Sequence, residues 1–242
     1  FGNEPFTPFN LLRYNTFQLQ DSFSMVKKQH SLTFGGAAEK YHSENVFFPG
    51  QQSAYVYNSL ADFYTAANQY LTNPTNPVSP VATRMFQVRY MNIPNMEKPV
   101  QPLDVWYTSL YAQDQWRPRS NVTITAGLRV DIAKFGNTAF DNPAVDALTF
   151  RDAAGNPIQY NTGALPKATP LWSPRVGFNW DVFGDHSTQV RGGTGVFTGK
   201  PAYVWISNQI GNTGMLTGFS EVRTSSTAFP FNPNPATYKP AT

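Results

Sequence analysis

Residues 121–131, NVTITAGLRVD, decide how the rest of the chain is read. Val122, Ile124, Ala126, Leu128 and Val130 fall on alternate positions, with Thr123, Thr125, Gly127, Arg129 and Asp131 between them. Successive strand side chains point to opposite faces, so this alternation predicts a strand with one apolar and one polar side. Residues 173–182 repeat it, with Val176, Phe178 and Trp180 against Arg175, Gly177, Asn179 and Asp181. Residues 187–197 do so more weakly, with Val190 and Val196 against Gln189, Arg191 and glycines. Upstream, Phe17, Leu19 and Phe23 alternate with Gln18, Gln20 and Ser22, and Leu32 and Phe34 with Thr33, Gly35 and Ala37. Residues 104–116 are strand-like too, but aromatics on both faces leave their facing open. Six strands are expected, over about 12–24, 30–41, 105–116, 122–132, 173–182 and 187–198.

The connections alternate between short and long. Residues 25–29, 117–121 and 183–186 are short links, whereas 42–104, 133–172 and the stretch after 198 are long. Loops beyond about 12–15 residues are uncommon in compact soluble domains. A bacterial outer-membrane barrel expects them, because strands of roughly 10 residues are joined by tight periplasmic turns and long outer loops. The fold expected is therefore all-β: an antiparallel transmembrane β-barrel segment of about six strands, with long extracellular loops and short periplasmic turns. Tyr107, Tyr111, Trp116, Trp172 and Trp180 lie near strand ends, where an interfacial aromatic girdle belongs. Within the first long loop, residues 59–71 (SLADFYTAANQYL) place Leu60, Phe63, Tyr64, Ala67 and Leu71 at helical spacing before Asn73-Pro74. Residues 84–90 read as an extra strand, and 72–80, TNPTNPVSP, as turns.

Composition narrows the classes. Charged residues are 14% of the chain, against about 25% in an ordinary soluble domain. Mean hydropathy is nevertheless −0.38, as expected if only every second strand residue is apolar. An aromatic content of 15% argues against disorder, and no run of about 18 apolar residues offers a membrane-spanning helix. Without cysteine there is no disulfide framework, thiolate metal site or cysteine nucleophile. A scattered net charge of +3 gives nucleic acid nothing to bind.

No catalytic constellation emerges. His30, His42 and His186 lack partners at metal-ligand spacing and read as strand-end and turn residues; His42 with Glu39 and Glu44 is the nearest to a ligand set. Residues 192–200, GGTGVFTGK, fail as a phosphate loop, because Thr194 stands where its first glycine is required and Pro201 follows the lysine. There is no G-x-S-x-G, and Asp141 with Asp146, or Asp181 with Asp185, read as turn caps. No cofactor, metal or enzymatic activity is expected. The constellation that stands out is Arg129, Arg175 and Arg191, on the polar faces of successive strands. In a barrel they would face the lumen, available to a plug or an anionic ligand; pairing with Asp131, Asp181 or neighbouring strands is the plainer expectation.

These residues resemble a known family. LYAQDQWRPRSNVTITAGLRVD (110–131) is similar to a hairpin of TonB-dependent outer-membrane receptors, and WSPRVGFNWDVFGDHSTQVRGGTGVFTGK (172–200) to the hairpin that follows it. HSLTFGGAAEKY (30–41) resembles an upstream strand, and SLADF (59–63) a loop of the Oar-like branch, whose full-length members usually carry a carboxypeptidase-regulatory-like domain before the plug. A complete member has a TonB box, a plug filling the lumen and about 22 strands. No plug, TonB box or signal peptide is expected within these residues. The chain opens at Phe1 and closes at Thr242, not on the aromatic residue of a last barrel strand, so residues 1–242 are expected to be part of a receptor barrel. The resemblance implies energised uptake of an unknown extracellular ligand, with outer-membrane lipid, a plug and the remaining barrel, and the TonB complex as partners. Adhesion or protein export through the same barrel, or a soluble all-β carbohydrate-binding module, are the alternative readings.

Overall fold

The computed structural model describes residues 2, 4–136 and 138–240; Phe1 and Thr242, on which the reading of the chain's limits rests, lie outside them. In chain order the elements are β1 (Leu11–Lys27), β2 (His30–Val46), β3 (Ala54–Val56), α1 (Leu60–Thr72), β4 (Met85–Met91), β5 (Gln101–Arg119) and β6 (Val122–Phe135). There follow α2 (Pro143–Asp146), β7 (Phe150–Arg151), β8 (Pro157–Ile158), β9 (Leu171–Asp181), β10 (Gln189–Gly195), α3 (Tyr203–Gly211), β11 (Thr217–Val222) and a 3-10 turn at Pro235–Tyr238.

The six expected strands form one sheet in the order β1-β2-β5-β6-β9-β10, every neighbouring pair antiparallel. Its short connections gather at one end. Lys28 and Gln29 join β1 to β2, with Lys28 at φ 56, and Ser120 and Asn121 join β5 to β6. Between β9 and β10 the Asp181 carboxylate accepts the Gly184 and His186 amides at 3.0 and 3.1 Å, fixing a tight turn. All the long excursions leave from the opposite end. The sheet stays open, with β1 and β10 as its edges, so these strands form a barrel wall without closing it.

The strands differ in length from the expectation. β1 and β2 have 17 residues and β5 has 19, because their upper parts continue beyond a membrane-spanning length into the loop layer. β10 has 7 residues; after Gly195 the chain leaves the ladder and crosses the sheet.

The facing of β5 is resolved by burial. Leu103, Val105, Tyr107 and Ser109 are buried, while Trp106, Thr108 and Leu110 are exposed. Register carries this division across the sheet. Leu110 pairs with Val130 and Val130 with Trp172 on one face; Gly35 pairs with Tyr111, Tyr111 with Arg129 and Arg129 with Ser173 on the other. The first face collects Phe17, Leu19, Phe23, Phe34, Leu128, Val176 and Phe178, all solvent-exposed in the isolated chain.

Beyond the long end of the sheet stands a second body. β3, β4 and β11 form a sheet in the order β11-β4-β3, confirming an extra strand near 84–90. Helix α1 is displaced by one residue from the expected span; Ser59 caps it, its Oγ accepting from the Asp62 amide at 3.1 Å. Phe86 is the hub of this body, stacked on Phe229 at 4.4 Å and in contact with Tyr55 and Tyr238. The tail after residue 198, expected as a loop, therefore folds: it supplies α3, β11 and the aromatics that close this core.

Candidate functional site

The polar face of the large sheet is divided into a covered upper half and an open lower half. Covering starts where β10 ends. Thr198 reaches Asp131 at 3.3 Å and Ser173 at 3.1 Å, and Lys200 binds Glu39 while its Nζ lies 4.6 Å over the Tyr107 ring. Helix α3 then packs Tyr203 and Ile210 on Leu103 and Val105, with Tyr41 and Phe135 beside them. Hydrophobic residues can therefore stand on a polar face, because this helix and not water covers them.

Arg129 grips Asp131 through Nε at 2.9 and 3.0 Å and through Nη2 at 2.8 Å. Asp131 is almost wholly buried, so this fork is what keeps an ionised carboxylate tolerable there. Arg175 follows on β9. It pairs in register with Gly127, and its Nε is buried over that glycine without a hydrogen-bond partner. Arg191 on β10 pairs in register with Asn179 and is exposed. The three arginines thus descend across adjacent strands on one face. Arg129 has the expected partner in Asp131, but Asp181 serves the periplasmic-end turn and His186, at 2.9 Å, instead of an arginine.

The aromatic girdle needs correction. Trp116, Trp172 and Trp180 lie on the apolar face, but Tyr107 and Tyr111 lie on the opposite one, paired with Ala133 and Arg129. Tyr107 is buried beneath Lys200, and Tyr111 rests on Gly35. Trp106, which sequence reasoning missed, lies on the apolar face instead, with the Lys40 Nζ 5.5 Å from its ring. The cue was its even spacing from Trp116, which puts the two indoles on one side. They stand about ten residues apart, roughly 33 Å along the strand at 3.3 Å per residue. At a barrel tilt near 40° that projects to about 25 Å, the height of an outer-membrane apolar band.

Histidine–carboxylate pairs flank the two indoles, one beyond Trp106 and the other level with Trp116. His42 meets Asp104 at 2.9 Å on the loop side, and His30 meets Asp114 at 2.6 Å on the turn side, where its ring also stacks on Trp116. Each of the three histidines therefore has a carboxylate partner, and Glu39 and Glu44 do not join His42. Among the described residues no group of three or more metal-ligating side chains converges. What this arrangement offers chemically is charge-assisted binding along a wall, capped by a folded loop.

The family of the outer membrane β-barrel domain has a model that matches residues 1–242, and the chain belongs to that family. No curated protein and no solved structure matches it. The chain is accordingly a bacterial outer-membrane protein, with its exposed apolar face toward lipid. A soluble carbohydrate-binding module is not compatible with that membership.

Proposed function

We propose that this member of the outer membrane β-barrel domain family forms part of the wall and outer gate of a TonB-dependent receptor that takes up a ligand with energy from the inner membrane. The observation that carries the proposal is the division of the polar face. Its upper half is sealed by residues 196–200 and α3, whereas its lower half leaves Arg175 Nε without a partner and Arg191 exposed. A cationic lumen wall below a folded cap is suited to an acidic plug that must both seal the barrel and let go of it. Residues 1–242 would contribute wall and loops; a plug and the TonB-contacting segment would belong to the complete receptor.

The test is a photo-crosslinking amino acid at position 191 of the full-length protein in its native bacterium. Crosslinks to the protein's own N-terminal region, changing in pattern when the TonB complex is deleted, are the expected result. Crosslinks to a secreted protein, with no dependence on that complex, would transfer the assignment to export; an absence of both would leave a wall suited to adhesion.

A further inference from the structure

The outer body contains a cavity of about 1130 Å³, somewhat larger than the roughly 300–1,000 Å³ common for small-molecule sites. It follows one strand edge. Residues 52 to 57 line it consecutively, and they include all of β3. β3 is the outer strand of the β11-β4-β3 sheet, so one of its sides pairs with β4 and no strand of the described residues pairs with the other. Walls rise from both faces of that strand. Tyr55 and Tyr57 stand with Phe63 and Phe231 on one side, their rings 5.3 to 6.5 Å apart. On the other, Ala54 and Val56 lie beside their register partners Gln87 and Met85.

Two further observations point to an occupant. The Tyr57 hydroxyl is buried without a hydrogen-bond partner, and its burial pushes the phenol up to about 12, so it remains a neutral donor. The charged side chains of the lining are Glu4 and Arg223, one of each sign, and Arg223 is already engaged by Glu221 at 2.6 Å. The Glu4 carboxylate is likewise engaged, accepting the Phe6 and Thr7 amides at 2.8 and 2.6 Å, so neither charge is left free for an occupant. An exposed edge strand offers unpaired backbone groups at alternate positions, and a strand added to it sends its side chains to both faces in turn. Flanking walls on both faces match that alternation.

We propose that β3 and its cavity bind an uncharged, extended peptide segment of about six residues by strand addition. The proposal uses the extracellular placement of the long loops given above, but not energised uptake. Binding to purified protein is measured without the inner-membrane complex, so failure here and failure of the uptake reading are distinguishable.

The experiment is fluorescence anisotropy on the full-length protein in detergent, with a library of N-acetylated, C-amidated hexapeptides of Val, Thr, Tyr and Phe. Saturable binding is expected, changing less than about twofold between low and high salt because no net charge is matched. N-methylation of the best peptide at alternate residues should weaken it by about tenfold, and at the intervening residues by less than about twofold. Tyr57→Ala should cost about tenfold, and Tyr57→Phe, which retains the ring and hence the fold, several-fold. Absence of hexapeptide binding, indifference to the N-methylation phase, or displacement by maltohexaose would overturn the proposal.

Discussion

The Tyr111 ring rests on Gly35, its register partner in the adjacent strand, and fills the space a side chain at position 35 would need. A Cβ built there overlaps the ring, while the pairing holds both backbones in place. Gly35→Ala should therefore destabilise the barrel by about 1–3 kcal/mol, and adding Tyr111→Ala should recover much of it. Urea midpoints in detergent, read from heat-modifiable gel mobility, would show the recovery; two independent, additive losses would refute the relationship.

Arg129 and Asp131 make the next case. Arg129→Met would leave a buried carboxylate with hydroxyl partners, Tyr107 and Thr198, but no counter-charge, at a cost of about 2–4 kcal/mol. Asp131→Asn should cost less, since an amide needs no counter-charge. The same midpoints decide the order of the two variants, and equal losses would count against a charge-driven role.

The two faces of the sheet should respond oppositely to charge. Leu110→Arg and Leu128→Arg place a cation on the lipid side and should cost about 2–4 kcal/mol, whereas Thr125→Arg on the polar face should cost little. Cysteines answer the same question without changing charge. A probe at position 128 should be quenched by lipid-borne spin labels, and one at 129 should not.

Alkaline pH should loosen the loop layer. Burial pushes Tyr203 up to about 12, and its hydroxyl lacks a hydrogen-bond partner. In the unfolded chain the phenol ionises near 10. The folded state therefore retains a proton that the unfolded state has lost, and stability falls as pH rises from about 10 to 12. Protease cleavage within α3 should increase across that window and do so less in Tyr203→Phe, which should be no less stable at neutral pH. Equal cleavage in both proteins at pH 11 would exclude Tyr203 as the cause.

The wall of the barrel was legible because period-two alternation is local. Residues 122–131 display it without reference to any partner, and every strand that showed it took its place in the sheet. β5 was ambiguous for a physical reason. Leu103, Val105 and Tyr107 sit on the polar side yet are apolar, since α3, about a hundred residues downstream, covers them. No local pattern announces a distant cover. The arginines could be assigned to one face from spacing alone, but which of them had a partner depended on where aspartates fell in three dimensions. The girdle reading chose Tyr107 of two neighbouring aromatics, and register puts Trp106, not Tyr107, on the apolar face.

β4 pairs with β11 from Met91 against Thr217 to Phe86 against Val222, joining an early excursion to the last one. Four wall strands, β5, β6, β9 and β10, lie between them in the chain. The outer body therefore has an obligatory order of assembly. Its first half emerges early and must wait, with Phe86 and Tyr55 unburied, until the wall is threaded and residues 217–238 arrive. Contacts of such long sequence separation form slowly, so the cap should mature last, after the membrane-embedded strands are in place.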